Sequence, residues 1–586
     1  KLELDGINDD GLPSAIFSNL GSGAEGNAGN INITADSVSL TNGAVLSSNT
    51  FGKGNAGNIN ITAGIQLDNE GNPILDSKGH PIPIGSGGQV TFDGAGTGVF
   101  SRVSRTQDPQ NPDNEFVGMG QGGTINIQAR SLSVLGGANL SAQTLGIGDA
   151  GNILVNTSDF VEISGFATYP TLSDGRPGGF SSGLFTTTEN GATGEGGMIK
   201  VTTDSLRLDN GGVLSNRTQS DFKGGDISVD ANTLEITGGG QILTTAFGNG
   251  NAGDIKVRVR DNITISGSDA TYNDRYNQVA AQFGEEQAQF TIDPINPASG
   301  IFANTAEDST GQGGNINIDP ELVKIENGAI IAVDSQGSGQ AGNLALTSNR
   351  LILDEGKITA ATNTTNGGNI TLNLQDLLLL RENSKISATA GQQGGTGDGG
   401  NVTINAPLGF VVGLQDRNND IVARASVGQG GEINIETQSI IGLAERSSQP
   451  PNQTNDIDAS SDLGTQGTVN LNTPDVDPAS AINTLPQDMV DPSNQIDQGC
   501  AALDEDNTSE FRVTGRGGLP PSPDQPLSSN TVWEDTRTTT TAPQKLTANT
   551  TAKTPKAEAN KITPATAWVF NKNGEVTLIS SASKTT

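Results

Sequence analysis

At 586 residues, with 79 glycines and only 4% aromatic residues, the chain is too long for one globular core and too poor in large side chains to build several. Its 32 lysines and arginines against 65 aspartates and glutamates leave a formal net charge of −33, which repels nucleic acid and anionic lipid. Cys500 is the only cysteine and His80 the only histidine, so an intrachain disulfide and paired-histidine metal sites are excluded, and a Ser-His-Asp set can exist only at His80.

The chain opens at Lys1 without a signal peptide, and is expected to be a piece of a longer precursor. From Gly29 onward one phrase recurs: glycine, a polar residue, then apolar, polar, apolar. Gly29-Asn30-Ile31-Asn32-Ile33 is the first copy. Others start at Gly57, Gly88, Gly123, Gly151, Gly197, Gly225, Gly253, Gly314, Gly342, Gly368, Gly400, Gly431 and Gly467, making fourteen, most often 28 residues apart. Such a period marks a repeat architecture, which cannot bury its apolar face one unit at a time.

Each period holds three short alternating segments. In the first they are 30–35, 37–40 and 44–49, with Thr41-Asn42-Gly43 as a turn between the last two. Alternation with period two predicts one buried face per segment, placing Ile31, Ile33, Val38, Leu40 and either Val45 or Leu46 inside. If each period forms one coil, like segments stack in register and parallel, about 4.8 Å apart. The expected fold is therefore all-β, a right-handed parallel β-helix with three strands per coil, over 1–473. Fourteen coils would stack to roughly 65 Å. Asn30, Asn58, Asn152, Asn315, Asn343, Asn369 and Asn401 follow the leading glycine, and are expected to form a structural corner ladder of side-chain amides bonded to their counterparts above and below.

Longer spacings mark insertions, at about 67–84, 105–118, 167–177 and 266–299, with a short amphipathic helix expected over 276–290. The chain returns with a common phrase, as in Gly98-Val99-Phe100-Ser101, Gly183-Leu184-Phe185-Thr186 and Gly300-Ile301-Phe302-Ala303, matched near the start by Ala15-Ile16-Phe17-Ser18. Its phenylalanine reads as a larger core filler. Residues 474–497 read as a linker, and 498–586 as a partly disordered tail ending in a hairpin at 567–579.

Chemistry is hard to place on this pattern. The grouped Asn-Thr-Asp, Asp-Asp and Gly-His-Gly set of β-helix polysaccharide hydrolases is not found together, and His80, in Gly79-His80-Pro81, reads as an exposed loop residue. Asp416-Arg417-Asn418-Asn419-Asp420 opens like a calcium loop but has Ile421 and Val427 where glycine and glutamate are needed. Asp68-Asn69-Glu70-Gly71 and Asp76-Ser77-Lys78-Gly79 read as turns. No catalytic residue, metal ligand or cofactor is expected, beyond weakly held surface calcium. No run of about 18 apolar residues is present to form a transmembrane helix.

The repeats, with their Ser-Leu-x-Leu and Gly-Ala-x-Leu-Ser segments, resemble the cyanobacterial filamentous-haemagglutinin-like exoproteins, the large secreted partners of two-partner secretion systems. The resemblance covers about 1–475. The phrase Gly515-Arg516-Gly517-Gly518-Leu519-Pro520-Pro521-Ser522-Pro523, then Trp533-Glu534-Asp535 and the Trp568 hairpin, is similar to the tail of that group. The resemblance implies export of the precursor through an outer-membrane barrel partner and display on, or release from, a Gram-negative-type cell. The group's N-terminal secretion domain is not found in this sequence. The expected function is a non-catalytic, adhesin-like rod that attaches to carbohydrate or neighbouring cells. The alternatives are a matrix or sheath component, and a β-helix polysaccharide lyase or hydrolase. Three or more carboxylates with an arginine on one face of adjacent coils would favour the enzyme.

Overall fold

A computed structural model describes residues 1–474 apart from 9–11, 109–110, 168–178, 286–287, 289–291, 293–294, 392–393, 416 and 449–451, together with two strands near the C-terminus. The chain divides into two compact units, Lys1–Asn483 and Thr484–Thr586. In the second, Ala567–Phe570 pairs antiparallel with Val576–Ile579. Cys500, Arg512, Arg516, Trp533 and most of the linker and tail lie outside the described residues.

The first unit is a parallel β-helix. Its glycine-led segments stack in one ladder: Ile31, Ile59, Ile125, Ile153, Ile199, Ile227, Ile255, Ile316, Leu344, Ile370, Val402, Ile433 and Val469 are successive register partners, all parallel. Coils are named below by these residues. First and second segments form an 18-stranded sheet and third segments a 14-stranded one. The inward residues follow the alternation: Val38, Leu40 and Leu46 are buried, and of the pair at the third segment it is Leu46, not Val45, that enters the core. In many coils the first two segments merge into one long strand, such as Ile125–Leu135 or Ile255–Ser266, with a one-residue register shift marking the bend between them. At the turn, Asn42 and Gly43 sit at φ +54° and +91°, the left-handed region that asparagine and glycine tolerate.

The recurrent glycine has a packing cause. A Cβ placed on Gly225 would lie 1.7 Å from the carbonyl oxygen of Gly197 in the coil below, and one on Gly253 would lie 1.8 Å from that of Gly225. Each glycine rests on the backbone of its counterpart, where no side chain fits.

Two expectations change. Gly88 does not start a coil. Its strand, Gln89–Asp93, is a second segment, with Val90 and Phe92 paired to Val38 and Leu40. The 67–84 insertion leaves at the bend of the Ile59 coil, so the chain re-enters mid-coil, and the same alternation serves there. The phenylalanines of the return phrase do not fill the coil interior either, although Phe185 and Phe302 are buried. Val99, Leu184 and Ile301 point inward, and Phe17 is 58% exposed. Phe302 instead faces out and is buried beneath the 266–299 insertion, with Leu243, Ala332, Ile295 and Ile330.

That insertion carries the helix Tyr272–Phe283, and Val279, Ala288 and Ile292 form its own small core. Buried Arg275 ties it down. It pairs with Asp269, donates to the Gly179 carbonyl at 2.8 Å and stacks 4.1 Å from the Phe166 ring centroid. The 105–118 insertion contributes the antiparallel pair Arg105–Asp108 and Asn111–Val117, while residues 168–178 fall outside the description.

Candidate functional site

The expected corner residues sit on one edge, but their bonding differs from simple amide stacking. The Asn30 side-chain oxygen accepts the backbone N–H of Asn58 at 2.8 Å, and Asn58 accepts that of Thr124 at 2.8 Å. Asn152 accepts from Met198, Asn369 from Asn401, and Asn401 from Glu432. Amide-to-amide bonds join only Asn343 to Asn315 at 3.3 Å and Asn369 to Asn343 at 3.0 Å, beside backbone bonds of 3.1 Å to the same acceptors. The side chain thus satisfies the backbone donor exposed where the strand leaves the tight glycine contact. Aspartate serves equally, since Asp226 and Asp254 hold the same place. A second column three residues earlier, with Asn27, Asn55, Asn251 and Asn366, does the same. Asn343→Ala is expected to cost about 1–2 kcal/mol locally, read as faster amide exchange at Asn369 with unchanged exchange several coils away.

A third column is buried. Thr50, Thr144, Thr188, Thr218, Thr305, Ser335 and Thr362 are all 0–1% exposed, each in an isolated parallel bridge to its neighbours. Their hydroxyls are satisfied by each other, as for Thr188 and Thr218 at 2.6 Å, or by loop carbonyls, as for Thr144 and Gly148 at 2.8 Å. These residues are core, not binding groups.

A long concavity lies where the first and second segments bend. It is a groove of about 1030 Å³ touching seven coils, from Asn156 of the Ile153 coil to Gln375 of the Ile370 coil. Six coil spacings give it a length of roughly 29 Å. Its floor is Ala231, Val259, Pro320 and Ser348. One wall is the outward column Asn156, Thr202, Asp230, Arg258, Asp319, Thr347. The other comes from residues at the register shift: Arg260, Glu321 and Asn349, linked through the backbone, then Gln375. Both walls are lined with donors and acceptors, and no Phe, Tyr or Trp side chain is among the lining residues.

Charges alternate along the groove. Arg258 forms two 2.6 Å hydrogen bonds to Asp230, and holds that carboxyl below its ordinary range. Arg260 donates to Asn232 at 2.5 Å, and Asn232 donates to Asp204. Lys200 and Arg260 make no salt bridge among the described residues. Asp230, Asp319 and Glu321 stand with Arg258 and Arg260 on three adjacent coils.

The 67–84 insertion closes one end. It forms an antiparallel arm, with bridges Ile65 to Pro83, Leu67 to Pro73 and Leu75 to Pro81. Its aspartates make turns: Asp68 accepts the N–H groups of Glu70 and Asn72, and Asp76 those of Lys78 and His80. His80 is not an exposed loop residue. It is 5% exposed, because the arm folds back on the coils and Asn156 donates to the Gly79 carbonyl at 3.0 Å.

A second polar cluster sits on the third-segment face of the last coils. Buried Arg424 bonds Asp458 at 2.9 Å, Ser460 at 2.6 Å and also Asp462. Burial pushes Asp458 up, but donors from Ser460, Ser448 and Arg424 outweigh it and hold its pKa at about 2. Burial raises Asp420 to about 6, with the charge of nearby Asp456 adding to the rise. Among the described residues no group of three or more His, Cys, Asp or Glu is placed to hold a metal ion, and no helix is long and apolar enough to cross a membrane.

In-register coils and a groove at the bend define the class: a parallel β-helix with an open, polar concavity along one face. No family model, curated protein or solved structure matches the chain.

Proposed function

We propose that this chain is an adhesin-like rod of a secreted or surface-displayed protein, and that it attaches to carbohydrate through the groove. The observation that carries the reading is the groove itself: a long, open channel walled by amides, hydroxyls, carboxylates and arginines on a narrow floor of small side chains. Such walls match an extended polymer of hydroxyl groups, which needs many modest hydrogen bonds rather than one deep pocket. The glycine-led repeats support an exported adhesin by resemblance, including the barrel secretion partner of the precursor and the Gram-negative-type cell surface.

The test is a glycan array with the wild-type chain and the triple variant Arg258→Ala, Asn349→Ala, Thr347→Ala. All three side chains line the groove from the outward face, so the fold is expected to survive. Three lost hydrogen bonds at about 1 kcal/mol each should weaken binding about a hundredfold. An unchanged glycan profile would rule the groove out.

A polysaccharide lyase or hydrolase is the second reading, and Asp230, Asp319 and Glu321 beside Arg258 and Arg260 favour it. The existing Arg258–Asp230 pair opposes it, because it already engages one acid and one base. Release of unsaturated or reducing sugar ends from glycans bound on the array would establish the enzyme; intact glycans would leave the adhesin.

A further inference from the structure

The arm bounds the groove at one end, and the groove's lining runs out at Gln375 at the other. Its line begins at the bend of the Ile59 coil, between the strands Ile59–Ala63 and Gln89–Asp93, and the arm leaves from that bend. The arm crosses the Ile125 coil and reaches the Ile153 coil, where Asn156 holds Gly79. Lys78 stands 3.8 Å from Asp204 in the next coil. Asp204 is in turn bonded by Asn232, and Asn232 by Arg260. The arm tip is thus latched to a chain of side chains that continues into the groove wall. Beyond it, the groove is free from the Ile199 coil to the Ile370 coil, a length of roughly 24 Å.

We propose that this groove takes the end of an unbranched glycan rather than its interior, with Lys78, Gly79 and His80 as the end-stop. The proposal rests on the carbohydrate-binding reading above. A chain interior lying along the groove would have to pass through space the arm fills. A chain end can abut the tip and leave past Gln375. Each further sugar unit then meets another coil with the same two columns, so affinity rises with oligomer length until the open stretch is filled.

The test uses the full chain and unbranched xylan, glucan, mannan and galacturonan, each as polymer and as its own short oligomers of increasing length. End recognition makes binding follow the concentration of chain ends, so that at equal mass oligomers compete roughly tenfold better than polymer. Replacing 66–82 with a short Gly-Ser link should remove that preference, because the polymer interior could then lie along the bend. Should that variant fail to fold, Lys78→Ala, which removes the arm's side of the latch and leaves the Asp204–Asn232 bond in place, should reduce the preference in the same direction. Equal competition by polymer and oligomer at equal mass, or a preference unmoved by both variants, would overturn the end-stop while leaving groove binding intact. If none of the four glycans binds, the carbohydrate reading itself fails and the end-stop with it.

Discussion

Replacing Gly225 with valine is expected to break the coil stack at the Ile227 coil. The leading glycine of that coil lies so close to the coil below that even one Cβ would sit 1.7 Å from the Gly197 carbonyl oxygen and 2.4 Å from the Asn216 amide nitrogen. Backbone on that side is fixed by ladders in two sheets, so it cannot retreat without losing register with neighbours on both sides. The cost is expected to exceed about 4 kcal/mol, the range where a single substitution is diagnostic. Coils contact only their neighbours, so damage should be local at first. Hydrogen exchange should show loss of protection spreading outward from 197–253, while the coils of Val402 and Ile433 stay protected. Gly21→Ala is the control: nothing lies within 4 Å of its added Cβ, and its effect should be near zero.

Asp458→Asn is expected to be the next most damaging change. The Asp458 side chain is 2% exposed and that of Arg424 8%, and Asp458 also accepts both the N–H and the hydroxyl of Ser448 at 2.8 Å. Removing one charge leaves a nearly buried guanidinium with only Ser460, Ser447 and the more exposed Asp462. The cost should be about 3 kcal/mol, confined to the last coils. The pH dependence has a definite sign. Asp458 has a folded pKa of about 2 against an ordinary value of 3.8, so its stabilisation is complete above pH 3.8 and disappears as pH falls through 2. Asp420 acts oppositely: raised to about 6, it costs stability as pH rises from 3.8 through 6. Together they make the last coils most stable near pH 4. Amide protection over Asp456–Asp458, corrected for intrinsic exchange rates, should peak there, and the acid limb should vanish in Asp458→Asn.

Much of the stack was legible because burial in a coil follows alternation directly. Val38, Leu40 and Leu46 are inside for the reason the pattern implies, and the glycine phrase recurs because every coil needs the same backbone contact. What failed to show was set by position in space. Gly88 carries the same phrase as Gly57, and only pairing to Val38 reveals a second segment. Phe302 is buried as its phrase implies, but beneath the insertion, while Ile301 is the residue that points into the coil. The column at Asn27 and Asn55 is carried by the first asparagine of Gly-Asn-Ala-Gly-Asn, and alternation alone does not distinguish it from an ordinary loop residue. The groove was not legible at all. Arg260, Glu321 and Asn349 line it because a one-residue register shift turns them outward at the bend, and no periodicity predicts which residue takes the shift. The burial of His80 is illegible for a related reason: nothing in Gly79-His80-Pro81 says that its arm folds back onto coils far along the chain.

On the proposed function, the outward columns at the bend form a single continuous surface for a glycan. Alkylation of single cysteines placed by Thr347→Cys or Thr359→Cys, in a Cys500→Ser background and with or without a glycan selected on the array, tests it directly. Thr347 lines the groove, while Thr359 lies on the third-segment face. Saturating glycan should slow labelling at 347 and leave 359 unchanged; equal rates at both positions, with and without glycan, would contradict it.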